Sequence, residues 1–407
     1  MRKLILLLII LLSTINVSLS QEINIGIRDT LHSTILEEDR PLSIYFPPSY
    51  FYKTNQSYPV LYILDGDYNF QYVAGLLELQ AGIAENIPEM ILVGISGKGS
   101  NTYKKNCKPN IQGLEDIGNA DKVLEFMEKE LVPYIDENYK TLDFKLLAGH
   151  SIGGLFIINA ALKSPNLFNN YIAISPALWW EDNAINKIAK ETYKNSSSLN
   201  TDAYVSLANE KGMGVEEFLK LVGPEFKFKQ FEKENHNSVG APTYEWALQD
   251  IFKVWKNDKT YFDSAKELEE YENKNSSFYN IPLPVADGVL YNTIIYVLKD
   301  KPKELEKVKN IITNKYPNSA AYLTTLLATN NIKEHNYKEA KNIILESLNG
   351  HPESFELYEK LAEINLSQDN TEKFKEKIQK ALSLAKKQGV RQWRIEEIKD
   401  IMEKLKN

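Results

Sequence analysis

The sequence predicts a two-part molecule: an α/β fold on a mostly parallel central sheet, followed by an all-helical domain of repeated helix pairs. Three observations predict it. From Glu22 to about Val254, short apolar runs alternate with amphipathic stretches. From about Asp263 the strand-like runs stop. Beyond that point, Pro317 and Pro352 each close a pair of helical patterns, 35 residues apart.

The elements can be taken in chain order. "MRKLILLLIILLSTINVSLSQ" has Arg2 and Lys3, an apolar run Leu4–Leu12, and small residues Ser18 and Ser20. This is the pattern of a secretory signal peptide cut near Ser20–Gln21. The run is far shorter than the ~20 residues a membrane-spanning helix needs. The expectation is therefore a periplasmic or secreted protein with no stable membrane span after cleavage. Cys107 is the single cysteine, so export brings no intrachain disulfide. "RPLSIYFPP", "YPVLYILDG", "MILVGIS", "KLLAGHS", "NYIAISP", "DAYVSLANE" and "FKFKQF" read as strands. "EINIGI" and "LSIYF" have little between them and are expected to pair as an antiparallel edge. In "ADKVLEFMEKELVPYIDENY", Val123, Phe126, Met127, Leu131 and Ile135 recur at helical spacing. Strands alternating with helices imply a sheet covered on both faces.

In the C-terminal part, Tyr358, Leu361, Phe374, Ile378 and Ala381 fall near the packing positions of a tetratricopeptide repeat. The helix–helix glycine of that repeat is missing. The polar stretch Trp255–Asn280 marks the boundary. The domains expected are a signal peptide over 1–20, an α/β domain over 21–258 and a tetratricopeptide-like helical domain over 259–407.

"LLAGHSIGGLF" contains Gly149-His150-Ser151-Ile152-Gly153, the pattern G-x-S-x-G. A strand pattern precedes it and an apolar helix start follows. A serine at such a turn has its hydroxyl pushed out above the sheet. The N–H of Ile152 then lies at a helix N-terminus, which favours negative charge. Ser151 is thus the candidate nucleophile.

A serine nucleophile needs a base. Of five histidines, His32 and His150 do not follow the serine as the α/β-hydrolase order requires, and His335 and His351 fall in the helical part. His150 adjoins Ser151 and should point away from it. His236 remains, in "FEKENHNSVGAP" after the last strand, and is the candidate base. Glu210, directly after "AYVSLA", is the candidate acid that holds the histidine tautomer. Asp202 begins that strand and should lie at the opposite sheet edge, and Glu216 and Glu217 read as surface charges. A second oxyanion donor is expected in "VLYILDGDYNF", where a turn at Gly66 presents the N–H of Asp67. Trp179 and Trp180 in "SPALWWEDN" border the site, either as core or as an aromatic wall for a ring-bearing acyl group.

The stretches "LEEDRPLSIYFPPSY", "YPVLYILDGDYNF", "LLAGHSIGGLF", "ISPALWW" and "ENHNSVGAP", in that order, resemble the putative esterase family of α/β-hydrolases, which contains esterase D and the enterochelin esterases. The resemblance runs from about Arg28 to Trp255. It implies an α/β-hydrolase fold and a serine ester hydrolase with Ser151 as nucleophile and His236 as base. Glu210 matches the acid's place after the sixth strand, although some members work with little or no acid. One departure stands out: where such proteins carry an Asn–Arg type loop toward the substrate, this chain has "GKGSNTYKKNCKPN".

Net charge is −7 with no basic stripe, so nucleic acid is not an expected partner. The histidines and the one cysteine form no metal-ligand spacing, and "GKGS" is no phosphate loop. Neither metal nor cofactor is expected. The expected partners are a small ester and, on the repeats, a protein or bulky ligand. Two other readings remain at this point: acyl transfer by the same triad, or a binding protein with a vestigial hydrolase fold.

Overall fold

The computed structural model describes residues 24–51, 53, 56–111, 118–195, 199–256, 259–316 and 319–403. The expected signal peptide over 1–20 and Pro317 lie outside the described residues.

Eight strands form one sheet in the order β1-β2-β4-β3-β5-β6-β7-β8. They are β1 Ile27–Ser33, β2 Glu38–Tyr45, β3 Tyr58–Leu64, β4 Ile91–Ile95, β5 Thr141–His150, β6 Asn170–Ile174, β7 Asp202–Ala208 and β8 Phe226–Phe231. β1–β2 and β2–β4 pair antiparallel, and β4 through β8 run parallel. This is the α/β-hydrolase fold, with the expected antiparallel edge. That edge starts later than "EINIGI" suggests, because β1 is the polar stretch "IRDTLHS". An edge strand buries little, so apolar patterning does not mark it; charged residues there also discourage pairing with another chain.

β3 sits mid-sheet and every one of its residues is buried. Val60, Tyr62 and Leu64 join the core on one face, while Leu61 and Ile63 join the core on the other. Side-chain alternation thus feeds both layers. Each such fully buried apolar side chain contributes about 1.5–3 kcal/mol. Around the sheet pack α1 Gly66–Leu77, α2 Ser100–Cys107, α3 Ala120–Phe126, α4 Val132–Asn138, α5 Ile152–Lys163, α6 Ile185–Asn195, α7 Val215–Leu219 and α8 Gly240–Ile251. A π turn, Glu78–Ile83, extends α1, and another, Met127–Leu131, joins α3 to α4 as the helical spacing there predicts.

The region after β8 and α8 is all helical: α9 Ala265–Tyr279, α10 Asp287–Asp300, α11 Leu305–Lys315, α12 Ala320–Lys333, α13 Tyr337–Gly350, α14 Phe355–Ser367, α15 Thr371–Lys387 and α16 Gln392–Glu403. Leu361, Phe374, Ile378 and Ala381 are buried between these helices. Two of the first contacts cross to the α/β part. Tyr279 and Leu283 belong to the core beneath the sheet, with Phe144, Phe252 and Trp255. The Tyr279 hydroxyl donates to the Ile251 carbonyl and accepts from the Trp255 N–H, both at 3.1 Å.

Candidate active site

Ser151 closes β5 and opens α5 with φ 57° and ψ −116°. A non-glycine residue there carries about 1–3 kcal/mol of strain, which its surroundings must hold. They do so through the backbone. The Ser151 N–H donates to the Ile174 carbonyl at 2.9 Å, and its own carbonyl accepts from Ala177 N–H at 2.9 Å and Leu155 N–H at 3.1 Å. The flanking glycines are required by close approach. A Cβ on Gly149 would lie 2.8 Å from the Gly153 backbone, and one on Gly153 would strike the Tyr103 hydroxyl.

His236 lies on the loop between β8 and α8. Local bonds shape that loop: Asn235 Oδ1 accepts from the N–H groups of Asn237 at 3.0 Å and Ser238 at 3.2 Å. His236 Nε2 is 2.9 Å from Ser151 Oγ, and Nδ1 is 2.9 Å from Glu210 Oε2. An ionised carboxylate only accepts, so Nδ1 carries the proton donated to Glu210, and Nε2 is left to accept from the serine. Glu210 follows β7 at the carboxyl edge of the sheet, while Asp202, at the strand's other end, pairs with Lys227 at 2.7 Å. The side chains of Ser151, His236 and Glu210 therefore form one hydrogen-bonded line.

One partner of that line has no sequence signal. Ser175, in "ISPALWW", has φ 40° and donates its hydroxyl to Glu210 Oε1. His150, expected to point away from Ser151, packs its ring against His236, with ring centroids 4.6 Å apart. Along β5, Leu146 and Ala148 face the layer that contains α8. His150 shares their parity, and the base loop enters that same layer.

The two expected oxyanion donors follow neighbouring strands, since β3 pairs with β5. Ile152 is the first residue of α5 and Asp67 the second of α1. First-turn N–H groups have no acceptor within their own helix. The Asp67 side chain is tied back, accepting from Ser96 Oγ at 2.6 Å and Gly97 N–H at 2.9 Å. Asp65, the residue before α1, takes φ 55°. Burial raises its carboxyl pKa, and the Asp67 charge adds to the rise. The tryptophans split: Trp180 is 4% exposed and belongs to the core, whereas Trp179 is 52% exposed. "GKGSNTYKKNCKPN" is not an open loop, because Ser100–Cys107 forms α2. Its Tyr103 and Cys107, one turn apart, face inward while Lys104 and Lys105 face solvent. Among the described residues, no three His, Cys, Asp or Glu side chains gather as a metal site, and no helix is long and apolar enough to cross a membrane.

The chain has relatives among known proteins. Residues 33–215 match the family model described as Putative esterase. The chain is 26% identical over 216 residues to the ferri-bacillibactin esterase BesA of Bacillus subtilis, spanning 45% of this chain and 74% of that protein. It is 29% identical over 160 residues to the siderophore triacetylfusarinine C esterase of Aspergillus fumigatus, spanning 36% of this chain and 55% of that one. The fold matches the crystal structure of an IroE-like serine hydrolase from Shewanella oneidensis, with a TM-score of 0.59 and 24% identity, over 70% of this chain and 98% of that one.

Proposed function

We propose a serine mechanism for this chain, which belongs through its α/β domain to the putative esterase family and is a carboxylic ester hydrolase. The observation that carries the proposal is the line from Ser151 through His236 to Glu210, with both bonds at 2.9 Å. Ser151 Oγ attacks the ester carbonyl carbon as its proton passes to His236 Nε2. Glu210 stabilises the imidazolium so formed and keeps Nε2 aimed at the serine. The N–H groups of Ile152 and Asp67 hold the oxyanion of the tetrahedral intermediate; losing one such donor costs ~10²–10³-fold in rate. The intermediate collapses, His236 protonates the departing alkoxide, and an acyl group remains on Ser151. Water, giving its proton to His236, attacks that ester and releases the acid.

The relatives' names direct the substrate reading to siderophore-type esters. Trp179, exposed, and Tyr68, on the same first turn as Asp67 and 85% exposed, offer ring faces to an aromatic or extended acyl group. We read residues 1–20 as an export signal, and α12–α15 as tetratricopeptide-like pairs suited to a bulky ligand or another chain.

The test uses a p-nitrophenyl ester. Ser151→Ala should remove turnover without unfolding the protein, and a fluorophosphonate should add covalently to Ser151 of the parent alone. Full turnover by folded Ser151→Ala would refute the serine mechanism. Product analysis with an acceptor alcohol present separates hydrolysis from acyl transfer.

A further inference from the structure

We infer that Ser96, in the turn after β4, is a positioning residue for the oxyanion hole: by gripping the Asp67 carboxylate it fixes the direction of the Asp67 N–H. The inference rests on the reading of that N–H as an oxyanion donor. Leu64 and Ile95, the last residues of β3 and β4, pair in register. The turns that follow them therefore meet at one edge of the sheet. Between those turns, Asp67 Oδ2 accepts from Ser96 Oγ at 2.6 Å and from Gly97 N–H at 2.9 Å. The other carboxylate oxygen, Oδ1, faces Arg28 Nη1 at 3.8 Å.

A side chain and an N–H on one residue share a Cα, so a grip on the first orients the second. The next two N–H groups, of Tyr68 and Asn69, both donate to the Asp65 carbonyl, at 3.0 and 3.1 Å. The Asp67 N–H, a first-turn donor, has no acceptor in its own helix to hold it. Its carboxylate is the handle that remains. The grip also serves the charge of the site. A carboxylate free to swing toward the hole would oppose the negative charge that develops there. The two donors to Oδ2 keep it turned toward the β4 turn.

Ser96 can be the fixed end of this clasp because it is itself tied down. It is 9% exposed. Its N–H donates to the Pro41 carbonyl at 3.0 Å, and its carbonyl accepts from Arg40 Nη1 at 2.8 Å. Arg40 is buried and paired with Glu38. The Ser96 hydroxyl also accepts from the Lys98 N–H at 3.2 Å. Lys98 takes φ 52° and reaches back with Nζ to Glu38 Oε2 at 3.0 Å and to the Asp39 carbonyl at 3.1 Å. The antiparallel strand β2 thus holds Ser96, Ser96 holds the Asp67 carboxylate, and Asp67 presents its N–H.

The test compares Ser96→Ala, Asp67→Asn, Asp67→Ala and the double variant Ser96→Ala/Asp67→Ala on the p-nitrophenyl ester, alongside Ser151→Ala and with folding checked by thermal melts. Each is also titrated with a trifluoromethyl ketone, whose tetrahedral adduct on Ser151 puts an oxyanion in the hole. Ser96→Ala should lower kcat about 3- to 10-fold, the effect of one lost hydrogen bond, with KM nearly unchanged. It should weaken the ketone by the same factor, which a loss of stability alone would not do in folded protein. Asp67→Asn, whose amide oxygen can still accept from Ser96 and Gly97, should lose less than Asp67→Ala. The double variant should be no worse than Asp67→Ala alone, because the two partners act as one unit. Unchanged kcat and ketone affinity in Ser96→Ala would overturn the proposal, as would the same loss from Ser96→Ala in the parent and in Asp67→Ala. Should Ser96→Ala not fold, the Asp67 pair decides: that side chain is 42% exposed, and equal losses in Asp67→Asn and Asp67→Ala would overturn the proposal. If Ser151→Ala retains turnover, the serine mechanism is what has failed.

Discussion

Glu210 is held from two sides, and the two holds are unequal. Its Oε2 receives the His236 proton donor at 2.9 Å, and its Oε1 receives the Ser175 hydroxyl. Ser175 itself is fixed by its N–H, which donates to the Ser206 carbonyl at 3.1 Å. Glu210→Gln leaves the geometry but replaces a charge with a dipole, so the imidazolium loses its counter-charge. Ser175→Ala leaves the charge and frees the carboxylate to rotate. Glu210→Gln should therefore cost more in kcat, and Ser175→Ala about 3- to 10-fold, both measured on an activated ester. A silent Glu210→Gln would mean that the protein works as a Ser–His dyad. The residues that the structure lines up here are also the ones the sequence singles out. With five histidines, order along the chain leaves His236 as the candidate base, and Glu210, the candidate acid, follows β7. The contacts of Ser175 with Glu210 and of His150 with His236 are not legible, because each depends on direction. Which way a hydroxyl or a ring points depends on strand parity and on a loop from a distant part of the chain.

At the scale of elements, α1 links the site to the rest of the molecule, and two of its glycines do opposite things. Gly66 begins the helix at the Asp67 turn, and a Cβ there would lie 2.6 Å from the Gly94 Cα of β4. Backbone cannot swing aside as a side chain can. Gly66→Ala should destabilise the protein by about 1–3 kcal/mol, as overpacking does, and lower kcat by shifting the Asp67 N–H. Gly75, mid-helix, has nothing within 4 Å of its Cβ position. Gly75→Ala should stabilise by about 0.4–1 kcal/mol and leave kcat unchanged. Thermal melts and ester turnover on the two variants check both. The sequence marked Gly66 as a turn, since "LDGD" follows a strand run, but not the crossing with β4 that makes it irreplaceable. The same limit hid α2. "SNTYKKNC" has only Tyr103 and Cys107 to bury, too few for periodicity to register, and its helix is set by the elbow it packs against.

For the whole molecule, the question is what the helical domain does for the hydrolase. The change from strands to helices was plain in the sequence; the contacts that join the two parts were not, because they are made by single residues. A cut at 258, the boundary the sequence suggests, removes Tyr279 and Leu283 from the core they share with Phe144, Phe252 and Trp255. It also removes the Pro284 carbonyl that accepts from Trp255 Nε1 at 2.6 Å. A chain ending at 258 should therefore lose thermal stability and self-associate through the uncovered apolar face. A chain ending at 286 keeps those three contacts and should hold together better. Both, however, lose contacts to the far end of the helical rod that starts at the Gly66–Asp67 turn. Arg391 pairs with Glu78 in the π turn at 2.5 Å, and Gly288 N–H donates to Glu85 at 3.0 Å. If these contacts only fasten the domain, a monodisperse 1–286 chain turns over a p-nitrophenyl ester at the full-length rate, because that substrate needs only the serine, the base and the oxyanion hole. If they hold α1 in place, kcat falls in the folded 1–286 chain, and Arg391→Ala in the full chain lowers it in the same direction. Loss of kcat in both would make the helical domain part of the catalytic scaffold, and an undiminished rate in both would confine it to binding.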